Sequence, residues 1–174
     1  MSFTLITGGA RSGKSSFSEQ HLLSLNKHPQ YYLATTPVND RSMDERVEKH
    51  QKDRDKKWIT FEEPLFIDTL SFESNGVLLM DCVTLWLNSI FQQCNFNVDN
   101  SLSLAKSIWL TFEKNIPENS WIITNELGMG LHAETEAGRK FADLQGWMNQ
   151  FLAQRAQEVI LMVSGLPLKI KSGQ

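Results

Sequence analysis

Residues 3–25 read FTLITGGARSGKSSFSEQHLLSL, and within them Gly8-Gly9-Ala10-Arg11-Ser12-Gly13-Lys14-Ser15 has the spacing G-x-x-x-x-G-K-[ST]. The apolar run FTLIT ends in a glycine cluster, as a buried parallel strand does. Behind the cluster, KSSFSEQHLLSL sets Phe17, Leu22 and Leu25 on roughly one helical face. Strand, glycine loop and helix in that order make a cradle for phosphate. Small residues let backbone N–H groups curl round the anion, and the helix adds its positive end. Lys14 is placed to reach the outer phosphates, and Ser15 to offer its hydroxyl to Mg²⁺. A glycine-rich turn with no ligand is the bland alternative, but motif and context agree against it.

The rest of the chain keeps to the same alternation. YYLAT reads as a second strand stopped at Thr36-Pro37, WITFEE as a short strand, and EPLFIDTL as a short helix begun by Pro64. GVLLMD is a central strand closing on Asp81, LWLNSIFQQ a well-packed helix, CNFNVDNS a polar loop, and Leu102 to Asn115 a further helix. WIITNE follows as a strand with the loop LGMG, then a long helix from Glu134 to Gln157, then EVILMVSG as a last buried strand. The segment from Asp40 to about Lys56 has helical composition but a thin apolar stripe of Met43 and Val47, which predicts a peripheral helix. Strands separated by helices at this spacing indicate βαβ units. The expected fold class is α/β, P-loop NTPase-like (RecA-like), with a mainly parallel central sheet flanked by helices. No composition break marks a linker, so residues 1–174 are expected to form one domain.

Which nucleotide-binding protein this is depends on what the cradle lacks around it. A regulatory GTPase needs N-K-x-D to read guanine, and Asn26-Lys27 is followed by His28-Pro29. Asp143-Leu144-Gln145-Gly146 spells D-x-x-G inside a helical stretch rather than at a strand end, a chance match. The net charge of −3 gives no electrostatic reason to expect nucleic acid as a partner. Two cysteines, Cys82 and Cys94, without metal-like spacing suit reduced thiols in a cytoplasmic protein. No targeting segment and no membrane-spanning apolar run is apparent. Small-molecule phosphotransfer is favoured. Asp81, at the end of a hydrophobic strand, reads as a Walker-B acid holding Mg²⁺ directly or through water; an N-cap for the following helix is the bland alternative, and the two roles need not exclude each other.

A lone imidazole remains to be explained. Arg46, His50 and Arg54 recur at i, i+4 and would share one helix face, followed by Trp58. Two guanidinium groups beside an imidazole suit an anionic ligand, and a neutral imidazole can attack phosphorus. From the spacing alone, a solvated helix with a casual histidine is the favoured reading.

TGGARSGKS, YLAT, the R-V-x-x-H … R-x-x-x-W-x-T-x-E run, LLMDCVTLWLNSI, ITNELGMG and MVSGLPLKIK, in that order from Leu5 to Lys171, together resemble one family. It is the bifunctional adenosylcobinamide kinase/adenosylcobinamide-phosphate guanylyltransferase of cobalamin biosynthesis. The P-loop alone is weakly specific; the full set is strongly so. The resemblance implies two reactions. A nucleoside triphosphate, ATP or GTP, phosphorylates adenosylcobinamide; GTP then donates GMP to a histidine, and adenosylcobinamide phosphate takes it to give adenosylcobinamide-GDP. It further implies that the covalent histidine is His50, and that Gly8, Gly9, Ala10, Arg11, Ser12, Gly13, Lys14 and Ser15 cradle the phosphates. Ala34, Thr35, Thr36, Gln51, Lys52, Asp53, Arg54, Glu62 and Asp81 fall where members contact guanine nucleotide. Ser15 and Asp81 are the metal candidates, Lys14 acts with His50 in catalysis, and a homo-oligomer, a trimer by resemblance, is implied.

Several positions depart from the family pattern: Leu131-His132-Ala133 after GMG, Gly146-Trp147-Met148-Asn149-Gln150 in the late helix, and Gln51-Lys52-Asp53 after the histidine. Glu126, beyond a strand end, is either a catalytic or magnesium-linked acid or a structural loop acid. The competing readings are another P-loop small-molecule kinase, which would need no His50, and a non-catalytic nucleotide-binding module.

Overall fold

In the computed structural model, which describes residues 3–36 and 57–173, the apolar runs pair into one seven-stranded sheet. The peripheral helix expected between Asp40 and Lys56 lies outside the described residues. The strands are β1 (Phe3–Gly8), β2 (Gln30–Ala34), β3 (Ile59–Glu62), β4 (Val77–Asp81), β5 (Asn119–Ile123), β6 (Glu158–Val163) and β7 (Leu166–Lys171), with α1 (Lys14–Ser24), α2 (Val83–Gln93), α3 (Val98–Phe112) and α4 (Glu136–Arg155) between them. Their order across the sheet is β3-β2-β4-β5-β1-β6-β7. Every neighbouring pair is parallel except β6 with β7. The expected mainly parallel α/β architecture is therefore present.

Successive strand residues point to opposite faces, and here both faces are dry. On one, Leu5, Leu33, Leu78, Met80 and Ile122 pack against Trp86, Trp109, Phe112, Leu144 and Met148 of α2, α3 and α4. On the other, Ile6, Tyr32, Leu79, Ile123 and Met162 pack against Leu22 of α1 and against Trp58. That is why VLLM reads as a continuous apolar run rather than an alternating one. Helix α1 buries Lys14, Ser18 and Leu22, one turn apart. The inward stripe is thus partly polar, and Phe17 and Leu25 flank it half-buried.

Four expectations need correction. The helix expected at Pro64 is only a short 3-10 turn, Ile67–Thr69. The Trp86 indole donates to the Leu65 carbonyl at 2.9 Å, and Thr69 N–H goes instead to Phe66 O. The chain then turns extended at Leu70, with φ −81° and ψ 145°, and the turn goes no further. The loop CNFNVDNS ends sooner than expected, because the Asn97 side chain accepts the Asn100 N–H and caps α3. Asp99 in the first turn then favours the helix dipole. The strand WIITNE stops at Ile123, and Thr124 to Glu126 leave the sheet. Finally, MVSGLPLKIK is a hairpin: Ser164 and Gly165 have φ of 51° and 83°, the double positive turn that two-residue hairpins require. Pro167 sits within β7 at the sheet edge, the place a strand tolerates proline.

Candidate active site

Parallel register brings the functional positions to one edge. Glu62 stands opposite Ala34, Ala34 opposite Asp81, Asp81 opposite Ile123, and Ile123 opposite Ile6, with Gly8 two residues further along β1. These are carboxyl ends of strands, where open α/β sheets receive ligands.

Gly8 has φ 148°, and a Cβ there would lie 2.5 Å from the main-chain oxygen of Met162. Gly13 has φ 93°, and its Cβ would meet the Gly165 Cα at 3.2 Å. The loop is therefore pressed against the β6–β7 turn, which also donates Gly165 N–H to Ser12 O at 3.0 Å. Gly8→Ala should overpack backbone against backbone, lowering stability by about 1–3 kcal/mol and opening the loop. Thermal unfolding and nucleotide-binding calorimetry on that variant check both effects. Lys14 is buried, and its ammonium donates to Gly8 O at 3.0 Å and Gly9 O at 2.7 Å. Burial pushes its pKa below the usual 10.5, while Cys82 and Asp81 pull the other way. In the same loop the Ser12 hydroxyl is buried with no hydrogen-bond partner among the described residues.

Across the cradle, Ser15 Oγ donates to Asp81 Oδ2 at 2.8 Å, and the Tyr32 hydroxyl donates to the same oxygen at 3.0 Å. Asp81 is not the helix cap; Cys82 holds that position, without a side-chain cap bond. Asp81 thus closes β4 facing the phosphate loop, with Ser15 and Tyr32 as its hydrogen-bond partners. Thr35 is fully buried, and its hydroxyl donates to Cys82 O at 2.7 Å while accepting Cys82 N–H at 2.9 Å. It clasps β2 to the end of β4 and so steadies Asp81. Burial first, and the Asp81 charge second, push the Cys82 thiol up to about 12. Of the two cysteines, native protein should therefore expose only Cys94 to a thiol reagent at neutral pH, with Cys82 reacting on unfolding. Thiol titration with and without guanidinium tests this.

The loop after β5 leans on the cradle through Glu126 N–H, which donates to Gly8 O at 3.1 Å. Glu126 spends a carboxylate oxygen on Gly128 N–H at 2.8 Å, the bond of a structural loop acid. Behind it, Asn149 Nδ2 donates to Asn125 O at 3.0 Å, and Gln145 donates to both Thr124 and Asn149. Asn125 N–H is taken by Thr84 Oγ1 at 3.0 Å. Helices α2 and α4 thus fix this loop from two sides. Met129 and Leu131 on its outer turn are 79% and 99% exposed. Asp143 to Gly146 lie within α4, as expected of a chance D-x-x-G.

Lys14, Ser15, Asp81, Ala34, Thr35 and Glu62 are brought to one edge, while Arg46, His50, Gln51, Lys52, Asp53 and Arg54 lie outside the described residues. Tyr32, Thr84 and Gln145 escaped sequence reasoning, since a strand tyrosine or a helical glutamine carries no motif. Among the described residues no cluster of three or more His, Cys, Asp or Glu could hold a metal. No described helix is long and apolar enough to cross a membrane.

Comparison with known proteins extends the likeness beyond the cradle. Residues 4–170 match a family described as cobinamide kinase / cobinamide phosphate guanyltransferase. The bifunctional adenosylcobalamin biosynthesis protein CobP of Pseudomonas aeruginosa is 35% identical over 170 residues, covering 96% of each chain. The bifunctional adenosylcobalamin biosynthesis protein CobU of Escherichia coli is 34% identical over 180 residues, covering 96% of this chain and 98% of that one. A crystal structure of the flagellar accessory protein FlaH from Methanocaldococcus jannaschii aligns with a TM-score of 0.48 at 14% identity, over 99% of this chain and 79% of that one. Likeness to the curated relatives runs from β1 to β7 rather than stopping at a shared phosphate loop, and on that ground the chain belongs to the cobinamide kinase / cobinamide phosphate guanyltransferase family.

Proposed function

We propose that this chain carries out both reactions of its family at one phosphate cradle, the second through a covalent GMP–His50 intermediate. ATP or GTP first phosphorylates adenosylcobinamide. GTP then loses pyrophosphate to His50, and adenosylcobinamide phosphate collects the GMP to give adenosylcobinamide-GDP. The observation that carries the reading is the pairing of Ser15 and Asp81 at 2.8 Å beside buried Lys14, under a loop that only glycine at position 8 can close.

Oxygen donors of this kind suit a hard divalent cation, so Ser15 and Asp81 fit Mg²⁺. Bound there, the ion supplies neutralisation of phosphate charge. Backbone N–H groups of Gly9 to Gly13 and the amino end of α1 receive the phosphates. A phosphate oxygen in the cradle offers the Ser12 hydroxyl a partner, and Lys14 can leave the Gly8 and Gly9 carbonyls for it. In the transfer, a neutral ring nitrogen of His50 attacks the α-phosphorus, and the bond to the pyrophosphate oxygen breaks. A phosphoramidate results. The acceptor's phosphate oxygen then attacks the same phosphorus, and the P–N bond breaks to return free imidazole. Splitting the transfer keeps two bulky anions from having to meet in one step. Arg46 and Arg54 would assist by pairing with phosphate oxygens. Ala34, Thr35, Thr36, Gln51, Lys52, Asp53 and Glu62 make the remaining nucleotide contacts.

The working enzyme is read as a cytoplasmic homo-oligomer, a trimer by family resemblance. Exposed Leu166, Leu168 and Ile170 along the edge strand offer such an assembly an apolar face. Incubation with α-labelled GTP and Mg²⁺ tests the central step. Acid-labile, alkali-stable label on the protein, released by adenosylcobinamide phosphate, is the expected result. Kinase activity without label would leave an ordinary P-loop small-molecule kinase instead.

A further inference from the structure

We propose that Tyr32 is a positioning residue, which holds Asp81 for the divalent cation and so sets the metal dependence of nucleotide binding. The inference rests on reading the Ser15–Asp81 pair as the metal site. Ser15 and Tyr32 donate to one and the same carboxylate oxygen, Oδ2, at 2.8 and 3.0 Å. The proposal seats the cation or its water on the other oxygen, Oδ1. Ser15 has a competing duty, because its hydroxyl oxygen is itself a metal donor. In the proposed role the Tyr32 hydroxyl keeps donating to Oδ2 when the ion arrives.

The placement of that hydroxyl is rigid for reasons visible in the fold. Tyr32 is 2% exposed and lies in a strand whose backbone is paired on both sides, opposite Thr60 in β3 and Leu79 in β4. Its ring packs edge-on to Trp58, with centroids 5.9 Å apart and planes at 79°. A core position against tryptophan is equally well filled by phenylalanine. A buried phenol needs a partner for its hydroxyl, and the Asp81 carboxylate is one such partner here. A donor on a fixed ring selects one carboxylate rotamer before metal binds, which is how outer-shell residues tune a site. Trp58 keeps the ring in place from below, so the chain Trp58–Tyr32–Asp81–Ser15 runs unbroken from the apolar core to the cradle.

Tyr32→Phe removes one hydroxyl and keeps the ring. Binding of Mn²⁺ together with a non-hydrolysable GTP analogue, followed by electron paramagnetic resonance, should weaken by about 10- to 100-fold in the variant. Binding of the analogue without metal, measured by calorimetry, should stay at the wild-type value, and the melting temperature should confirm an intact fold. A role confined to packing would instead weaken metal-free and metal-dependent binding alike, and that result overturns the proposal. Equal Mn²⁺ affinity in the two proteins also overturns it. As a second measurement, the Mg²⁺ concentration giving half-maximal labelling from GTP should rise by the same factor in Tyr32→Phe. None of these measurements requires the corrinoid acceptor. Loss of corrinoid turnover would count against the proposed function and leave this inference standing.

Discussion

Substitution of Lys14 by Met is expected to lower both the kinase and the guanylyl-transfer rates by about 10²–10³-fold each, roughly 3–4 kcal/mol of transition-state stabilisation. Both fall together because both reactions are proposed to use one cradle. Methionine keeps the buried stem, so the loss is that of a charge aimed at phosphate rather than of packing. Steady-state rates for adenosylcobinamide phosphorylation and α-label uptake check the pair. Label uptake surviving at the wild-type rate would mean that GMP transfer uses a second nucleotide site. A pH signature accompanies the variant. Burial lowers the Lys14 pKa below 10.5, so the fold bears the cost of the buried charge at all pH values below the lowered value. Between the lowered value and 10.5 that cost is relieved, and stability contributed by this group rises with pH. Activity moves the opposite way over the same window, as the ammonium is lost. Wild-type rates should therefore fall at alkaline pH without loss of fold, and Lys14→Met should lack that limb.

The second large effect concerns His50→Ala, which should take up no label from α-labelled GTP and make no adenosylcobinamide-GDP. Removing a covalent nucleophile costs on the order of 10⁶ in rate, which in this assay is complete loss. Phosphorylation of adenosylcobinamide should survive within a few-fold, because that step needs the cradle, Ser15 and Asp81 but no imidazole. Mass spectrometry of protein incubated with GTP and Mg²⁺ gives the readout: one GMP adduct in wild type, none in the variant. An adduct persisting in His50→Ala would move the nucleophile to another residue.

How much could be read from residue order is best judged at particular sites. The strand at Val77–Asp81 was legible because a sheet buried on both faces selects an unbroken apolar run. Asp81 was legible as the residue closing it, but its choice between capping and metal-holding was not. Only the fold shows Cys82 in the cap position and brings Ser15, 66 positions earlier in the chain, within 2.8 Å of the Asp81 carboxylate. The hairpin after Val163 was not read from the residues, where EVILMVSG was the last strand; Ser164-Gly165 and the alternating Leu166, Leu168 and Ile170 do fit it, while a proline at 167 speaks against a central strand. Edge position lifts that objection, and edge position is a property of the assembled sheet. The short helix expected at Pro64 is a single 3-10 turn, and its Leu65 carbonyl accepts the Trp86 indole of α2, a contact that no local pattern announces.

Local chemistry settles what local spacing can settle. The glycine loop, its lysine and its serine must lie together because eight consecutive residues hold them, and backbone geometry follows from having no Cβ at Gly8 and Gly13. What surrounds that loop arises from contacts between residues far apart in the chain. Asp81 meets Ser15, Tyr32 meets Asp81, and Gly165 meets Ser12 only because parallel pairing aligns separate strand ends at one edge. No periodicity encodes such meetings, since they depend on the order in which strands are laid into the sheet.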